Sequence, residues 1–202
     1  MRMLKTLPLC LCAATLALAA CGQSGSENAA PDQSGEAKEA AGDQTIAASV
    51  DQNGRFFQAA KAVGLDATLA GPGPYTVLVP SDDAFGKVEG DAISNPADPA
   101  NRAQITRILT YHILPGVILA DDISKAIDNG DGGKAALATM GGETLTATKD
   151  GSNIVLTGAD GSKATIAKAD IKASNGVIHD IDGVLAPPAG ASAGGGEQQP
   201  AQ

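Results

Sequence analysis

Cysteine is missing from most of this chain, since the three cysteines are Cys10, Cys12 and Cys21. The rest of the sequence therefore offers no disulfide framework and no thiol chemistry. Tryptophan is absent altogether. The few aromatic residues are Phe56, Phe57, Tyr75, Phe85 and Tyr111. Each of them falls in a predicted core element, so no aromatic platform of the kind that sugar-binding proteins use is left exposed.

Basic residues are scarce as well. There are 14 lysines and arginines against 23 aspartates and glutamates, and the formal net charge is −9. This balance excludes binding to nucleic acid, because a phosphate backbone needs a basic patch. It also disfavours electrostatic docking on anionic lipid.

Motifs of enzymes and metal sites are missing too. His112 and His179 are the only histidines, and without cysteine partners or H-E-x-x-H spacing they make a poor zinc site. An EF-hand frame over the Asp-Gly turns would begin at Ile127 and end at Ala138, and neither residue is an oxygen ligand. No G-x-S-x-G motif occurs. We predict no enzymatic activity, no metal and no cofactor.

Both histidines lie on apolar faces of predicted elements. We expect buried core rings whose N–H groups donate to a carbonyl or carboxylate, since buried polar groups must be paired. The alternative is a pair of ligands or a pH switch, which would require the two rings to converge at an exposed site.

The N-terminus has the pattern of an export signal. Arg2 and Lys5 precede an apolar run from Leu7 to Ala20, which is too short for a permanent membrane span. The run ends Leu18-Ala19-Ala20-Cys21-Gly22, which resembles the bacterial lipoprotein signal. We therefore predict a signal peptide over residues 1–20 and lipidation of Cys21.

An ordinary secretory signal followed by a chance cysteine is the alternative to this interpretation. In the lipoprotein reading, Gly22 stands where an aspartate would mark retention at the inner membrane. We expect an exported protein, lipid-anchored in the cell envelope, with the outer membrane or periplasmic face favoured. Membrane contact would then run through the anchor at Cys21.

Two segments have no apolar periodicity. Residues 21–44 and 189–202 are rich in alanine, glycine, serine, glutamine and acidic residues. Such sequences cannot bury enough surface to offset their ordering entropy. We predict a disordered tether at 21–44, a disordered tail at 189–202 and one domain between them, at 45–188.

In the first half of this domain, the sequence predicts several helices and one strand. Thr45 is a candidate N-cap, and Gly64 stands where a helix ends. Tyr75 to Val79 is a short continuous apolar run, typical of a strand buried on both faces. Asp98-Pro99 begins a helix that Pro115-Gly116 ends, and Ile105, Ile108, Leu109 and His112 share one of its faces.

In the second half, the sequence predicts a series of short strands. The predicted strands cover Thr144–Thr148, Asn153–Thr157 and Ala164–Ala167, with hairpin turns at Asp150-Gly151 and Asp160-Gly161. A turn at Asn175-Gly176 then introduces a β-branched run that Pro187-Pro188 stops. We predict that this last strand closes the core, with Val177, His179 and Ile181 on one face.

Three motifs together resemble a known family. Tyr75 to Phe85, Tyr111 to Gly116 and Asn175 to Pro188 are similar to the first signature, the Tyr-His motif and the second signature of the fasciclin (FAS1) domain. The resemblance implies an α+β fold, a wedge-shaped β-sandwich decorated by several short helices. It also implies a secreted or surface-anchored interaction module, associated with adhesion, matrix binding or symbiosis, and not an enzyme.

The resemblance nominates candidate binding residues. The Tyr-His adhesion motif of animal members matches Tyr111-His112, and the Asn-Lys-Asp-Ile-Leu motif matches only at Asp170-Ile171. We predict adhesion or protein–protein contact at the bacterial surface, with Tyr111, His112, Asp170 and Ile171 as candidate protein-binding residues. The partner would be another protein or a cell-surface component, and the oligomeric state is open. The alternative function is a carrier of a small apolar ligand or haem.

Overall fold

A computed structural model describes residues 42–87 and 98–188. The predicted signal peptide, Cys21, most of the tether and the tail lie outside the described residues. The helices of the described part are α1 (Ile46–Ser49), α2 (Arg55–Val63), α3 (Asp66–Ala70), α4 (Asp82–Lys87), α5 (Arg102–Tyr111) and α6 (Ala120–Asn129), with a 3₁₀ turn at Pro99–Asn101. The strands are β1 (Tyr75–Pro80), β2 (Ile113–Pro115), β3 (Lys134–Ala138), β4 (Thr144–Asp150), β5 (Asn153–Thr157), β6 (Lys163–Ala173) and β7 (Gly176–Ile181).

The fold is of mixed helix and sheet. Its seven strands follow one hydrogen-bonded order, β2-β1-β7-β6-β5-β4-β3. The pair β1 and β7 is parallel and the other pairs are antiparallel. The long strand β6 belongs to both halves of the sheet, because its first residues pair with β5 and the rest pair with β7.

The β1–β7 pair stands between two hydrophobic cores. Val77 of β1 and Ile178 of β7 belong to a core built with helices α1, α2, α3 and α5. Leu78 and Ile181 belong to a second core built with α6 and strands β3 to β5. Neighbouring residues of a strand point to opposite faces, so these two strands must be apolar on both sides. The expectation that β1 is buried on both faces is confirmed.

The last strand also follows its prediction. Val177, His179 and Ile181 are buried, with 0–1 % of each exposed. Gly176 begins the strand at φ 155°, and a Cβ there would overlap the carbonyl oxygen of Tyr75. The Asn175-Gly176 turn therefore requires glycine at position 176, because there is no room for a side chain.

Helix α5 has the predicted buried face but ends earlier than expected. Its capping residue is His112, and the next three residues form β2. The prediction that Pro115-Gly116 ends this helix is wrong. The strand forms because Ile113 to Pro115 pair with Val77 to Tyr75 of β1, and the Gly116 amide bonds to the carbonyl of Pro74.

The helix start predicted at Asp98 is capped as expected, and the cap predicted at Thr45 is absent. The Ser81 hydroxyl accepts from the Ala84 amide at 3.2 Å, and the Asp98 carboxylate accepts from the Ala100 amide at 2.9 Å. Thr45, by contrast, makes no side-chain cap. The first amide of α1, that of Ile46, donates instead to Asn175 Oδ1 at 2.7 Å.

In the second half, β5 has its predicted bounds, whereas β4 and β6 extend beyond theirs. β4 reaches Asp150, and β6 covers eleven residues. β3 was not predicted, because its residues, Lys-Ala-Ala-Leu-Ala, lack β-branched side chains. Among the residues described, none of the helices combines the length and apolar character needed to cross a membrane.

Candidate functional site

Tyr111 lies at the end of α5 and is fully buried. Its hydroxyl donates to the carbonyl of Thr144 at 3.1 Å and accepts from the Ala159 amide at 2.9 Å. Burial raises the pKa of this hydroxyl, although the hydrogen bond from Ala159 lowers it. Tyr111 therefore joins α5 to β4 and to the β5–β6 loop.

His112 is fully buried in the next position. Nδ1 lies 2.7 Å from the carbonyl oxygen of Ile108, and Nε2 accepts from the Leu185 amide at 3.1 Å. A carbonyl can only accept and an amide can only donate, so these partners require the neutral ring with its hydrogen on Nδ1. Burial lowers the pKa of His112 to about 4.

His179 has a separate set of partners, one on β6 and one in the segment before α6. Nε2 lies 2.9 Å from the carbonyl oxygen of Ile118, and Nδ1 accepts from the Asp170 amide at 3.2 Å. The prediction of core histidines that donate to a carbonyl describes both rings. Each ring nitrogen of each histidine already has a partner.

Asp170 occupies an irregular part of β6. The register against β7 shifts on both sides of Lys168, and Asp170 has φ 58°. Its carboxylate accepts from the Ala120 amide at 2.9 Å, at the start of α6. A carboxylate at a helix N-terminus satisfies a free donor and complements the helix dipole. Asp170 therefore holds α6 against the bulged strand.

The four candidate binding residues differ in access. Tyr111 and His112 expose 0 % of their surface. Ile171 is half-buried against the first core, and the side chain of Asp170 is 38 % exposed. Asp170 and Ile171 are thus the two of the four that offer surface to a partner. Their roles in binding stay predictions, and Tyr111 and His112 would act through the loops they hold.

A pocket of about 440 Å³ lies beside Ile171. Strands β1 and β7 end here side by side, because they are parallel with Pro80 opposite Ile181. Apolar lining comes from Phe56, Val79 and Ile178. Sequence reasoning missed this pocket. The available signal was Asp180, a charged residue in a β-branched strand.

Metal-binding groups are not assembled in the described part of the chain. Within residues 42–87 and 98–188, no three histidine, cysteine, aspartate or glutamate side chains are grouped so that they could hold a metal ion.

Comparison with known proteins matches the chain to a family model. The model described as "Fasciclin domain" matches residues 52–187. This range includes the first two motifs named above, the third motif as far as Pro187 and all strands of the sheet.

Individual relatives come from bacteria and animals. "Protein sll1483" of Synechocystis sp. is 36 % identical over 144 residues, which cover 71 % of this chain and 72 % of that protein. Human stabilin-1 is 30 % identical over 143 residues, covering 71 % of this chain but 5 % of stabilin-1. The transforming growth factor-beta-induced protein ig-h3 of Sus scrofa is 33 % identical over 130 residues, 64 % of this chain and 17 % of that protein.

One solved structure is also similar. It is a FAS1 domain pair from the insect cell adhesion molecule fasciclin I, with a TM-score of 0.50 and 27 % sequence identity. The match covers 69 % of this chain and 47 % of the insect chain.

Proposed function

The chain belongs to the fasciclin family, and from that premise we propose that it is a lipid-anchored interaction module of a bacterial cell envelope. Its single domain would make adhesive or protein–protein contacts at the cell surface. The observation that carries the proposal is the family match over residues 52–187, which spans nearly the whole domain. The similar insect structure belongs to a cell adhesion molecule.

The anchor rests on the residues around Cys21. Two small residues, Ala19 and Ala20, directly precede this cysteine, with Leu18 before them. Burial of acyl chains contributes about 0.8 kcal/mol per CH₂, so two or more chains hold a protein on a membrane stably. A coil of the length of residues 21–44 reaches about 25 Å on average. The domain could then reach partners within about 25 Å of its anchor.

Binding, and not catalysis, is the role that suits the described side chains. Both histidines use both ring nitrogens in internal hydrogen bonds. Neither is free to act as a general base on a substrate without breaking those bonds. The exposed loops and edge strands are the surfaces we propose for contact.

Cross-linking in the native host tests the proposal. The full chain, carrying a C-terminal affinity tag, would be cross-linked in intact cells and recovered with its neighbours. We expect specific envelope proteins or surface polymers to be captured by the wild-type chain and lost in a Cys21→Ser control that does not reach the membrane. Recovery of the same neighbours with both chains, or of none with either, would contradict the proposal.

The alternative function is a carrier of a small apolar ligand, which the pocket with Phe56, Val79 and Ile178 favours. Native mass spectrometry of protein purified from its own host would distinguish the two, since a carrier retains a ligand of defined mass. Haem is the less suitable cargo. Axial ligation by His112 or His179 would require breaking a hydrogen bond inside the core.

A further inference from the structure

The pocket beside Ile171 lies where the backbone of the sheet is most irregular. The parallel strands β1 and β7 end at its edge, and β6 is bulged between Lys168 and Ile171 next to them. Bulges of this kind are enriched beside functional sites, where they redirect side chains. The bulge and the strand ends together leave an open space of about 440 Å³. This volume lies within the range of about 300–1,000 Å³ found for ligand pockets.

The wall of the pocket combines apolar and polar residues, and its charged groups are mostly acidic. Asp51, Asp82 and Asp180 line it, against one basic side chain, Lys168. Asp51 and Asp82 are exposed, while Asp180 is half-buried. The pocket therefore presents a partly apolar surface with an excess of negative charge.

Asp180 lacks a close partner within the described residues. Its carboxylate accepts no hydrogen bond there and forms no ion pair with Lys168, although the two residues are opposite each other in the β6–β7 register. Burial raises the pKa of Asp180, and Lys168 and His179 lower it by less. A half-buried carboxylate of this kind is stabilised by a cation that comes close to it.

We propose that this pocket binds a lysine or arginine side chain of a partner protein. The aliphatic stem would lie along Val79 and Ile171, the half-buried apolar residues of the lining, as long basic side chains do on apolar surface, and the charged end would reach Asp180. Because Asp51 and Asp82 extend the negative charge beyond one head group, the partner is a segment of chain and not a free amine. The inference rests on the proposed role as an interaction module and names the chemistry of its partner.

A titration with a defined peptide tests the site. The probe is the blocked peptide acetyl-Leu-Lys-Leu-amide, added to the full ¹⁵N-labelled chain in detergent solution. We expect amide shifts confined to the segments around Val79 to Asp82 and Ile178 to Asp180, and an affinity that falls as salt is added. The same peptide with norleucine in place of lysine, and butylamine alone, should each bind at least about threefold more weakly.

Two substitutions should change the affinity in opposite directions. Asp180→Asn should weaken binding of the lysine peptide at least about threefold. Lys168→Gln should tighten it, because the competing ammonium is removed, and a misfolded variant cannot produce tighter binding. Asp121→Asn is the matched control, since Asp121 is an exposed acidic residue on α6 paired with Lys125. It should leave the affinity unchanged.

Several results would overturn the inference. These are equal binding by the norleucine peptide, equal binding by butylamine, unchanged affinity in Asp180→Asn, or shifts spread over all acidic surfaces. The cross-linking experiment separates this failure from that of the proposed function. If Asp180→Asn captures the same envelope neighbours as the wild type, the site is wrong and the interaction role stands. If the wild type captures none, the role itself fails.

Discussion

At the scale of single residues, Asn175 contacts two segments that lie more than 100 positions away from it in the sequence. Its Oδ1 accepts from Ile46 at the start of α1, and its Nδ2 donates to the carbonyls of Leu69 and Gly71 at 2.9 and 2.7 Å. The side chain thus closes the beginning of one helix and the end of another. It does so from the turn that precedes β7.

Replacing Asn175 by alanine should therefore destabilise the domain by about 2–4 kcal/mol, since one amide and two carbonyls lose their partner. The free energy of unfolding from urea denaturation measures the effect. Asn153→Ala is the matched control, because Asn153 is exposed at the start of β5, and it should cost no more than about 0.5 kcal/mol. Equal losses in the two variants would show that the three contacts do not stabilise the fold.

His112 makes stability depend on pH. Burial lowers its pKa from 6.5 to about 4, so between these values the unfolded chain binds a proton that the folded chain excludes. The free energy of unfolding should fall as the pH is lowered through this interval, by about 3 kcal/mol in all, and this contribution should level off below pH 4.

A comparison with the His112→Gln variant isolates the contribution of His112 to the pH dependence of the free energy of unfolding. Other groups titrate in both proteins and cancel, including Asp180, whose raised pKa acts in the opposite direction. Denaturation curves at steps from pH 7.5 to 3.5 should show a steeper loss for the wild type than for the variant. Parallel pH profiles would exclude His112 as the source.

At the scale of elements, shortening a buried side chain of β7 should lower the free energy of unfolding more than shortening a half-buried side chain of β5. Ile181→Ala removes a side chain that is 1 % exposed in the second core, and large-to-small changes of this kind cost about 2–4 kcal/mol. Val155→Ala on β5 is the control, because Val155 is only half-buried, and it should cost less than about 1 kcal/mol. Urea denaturation measures both. A loss below about 0.5 kcal/mol for Ile181→Ala would refute the central position of β7.

The sequence predicts well those elements whose formation depends on residues close to one another in the chain. The apolar run of β1, Gly64 at φ 84° and the Asp98 cap each depend on residues within a few positions of one another. The buried face of α5 follows from helical spacing alone. Such features are visible in one sequence because their physical cause is local.

Elements that depend on distant partners were missed. β2 has three residues and exists through its pairing with β1, and Ile46 is capped by a residue 129 positions away. The bulged course of β6 likewise follows from its pairing with two different strands. The pocket was missed for the same reason, because the ends of β1 and β7 meet only in the folded sheet.

At the scale of the whole molecule, the anchor and the domain should be separable. Cys21→Ser removes the predicted lipid attachment but touches none of the described residues. We expect this variant to leave the membrane fraction while its unfolding curve matches that of the detergent-solubilised wild type. Cell fractionation and urea denaturation of the same preparations measure the two properties. Retention in the membrane fraction would contradict the lipoprotein assignment.

The central place of β7 has a consequence for biosynthesis. Strand β1 begins at Tyr75, but the neighbour that covers it, β7, begins at Gly176. A nascent chain therefore cannot join β1 and β2 to the rest of its sheet until the final strand leaves the ribosome. Long-range pairing of this kind also slows folding. Such a delay suits the proposed export of this chain, because threading through a translocation channel requires an unfolded polypeptide.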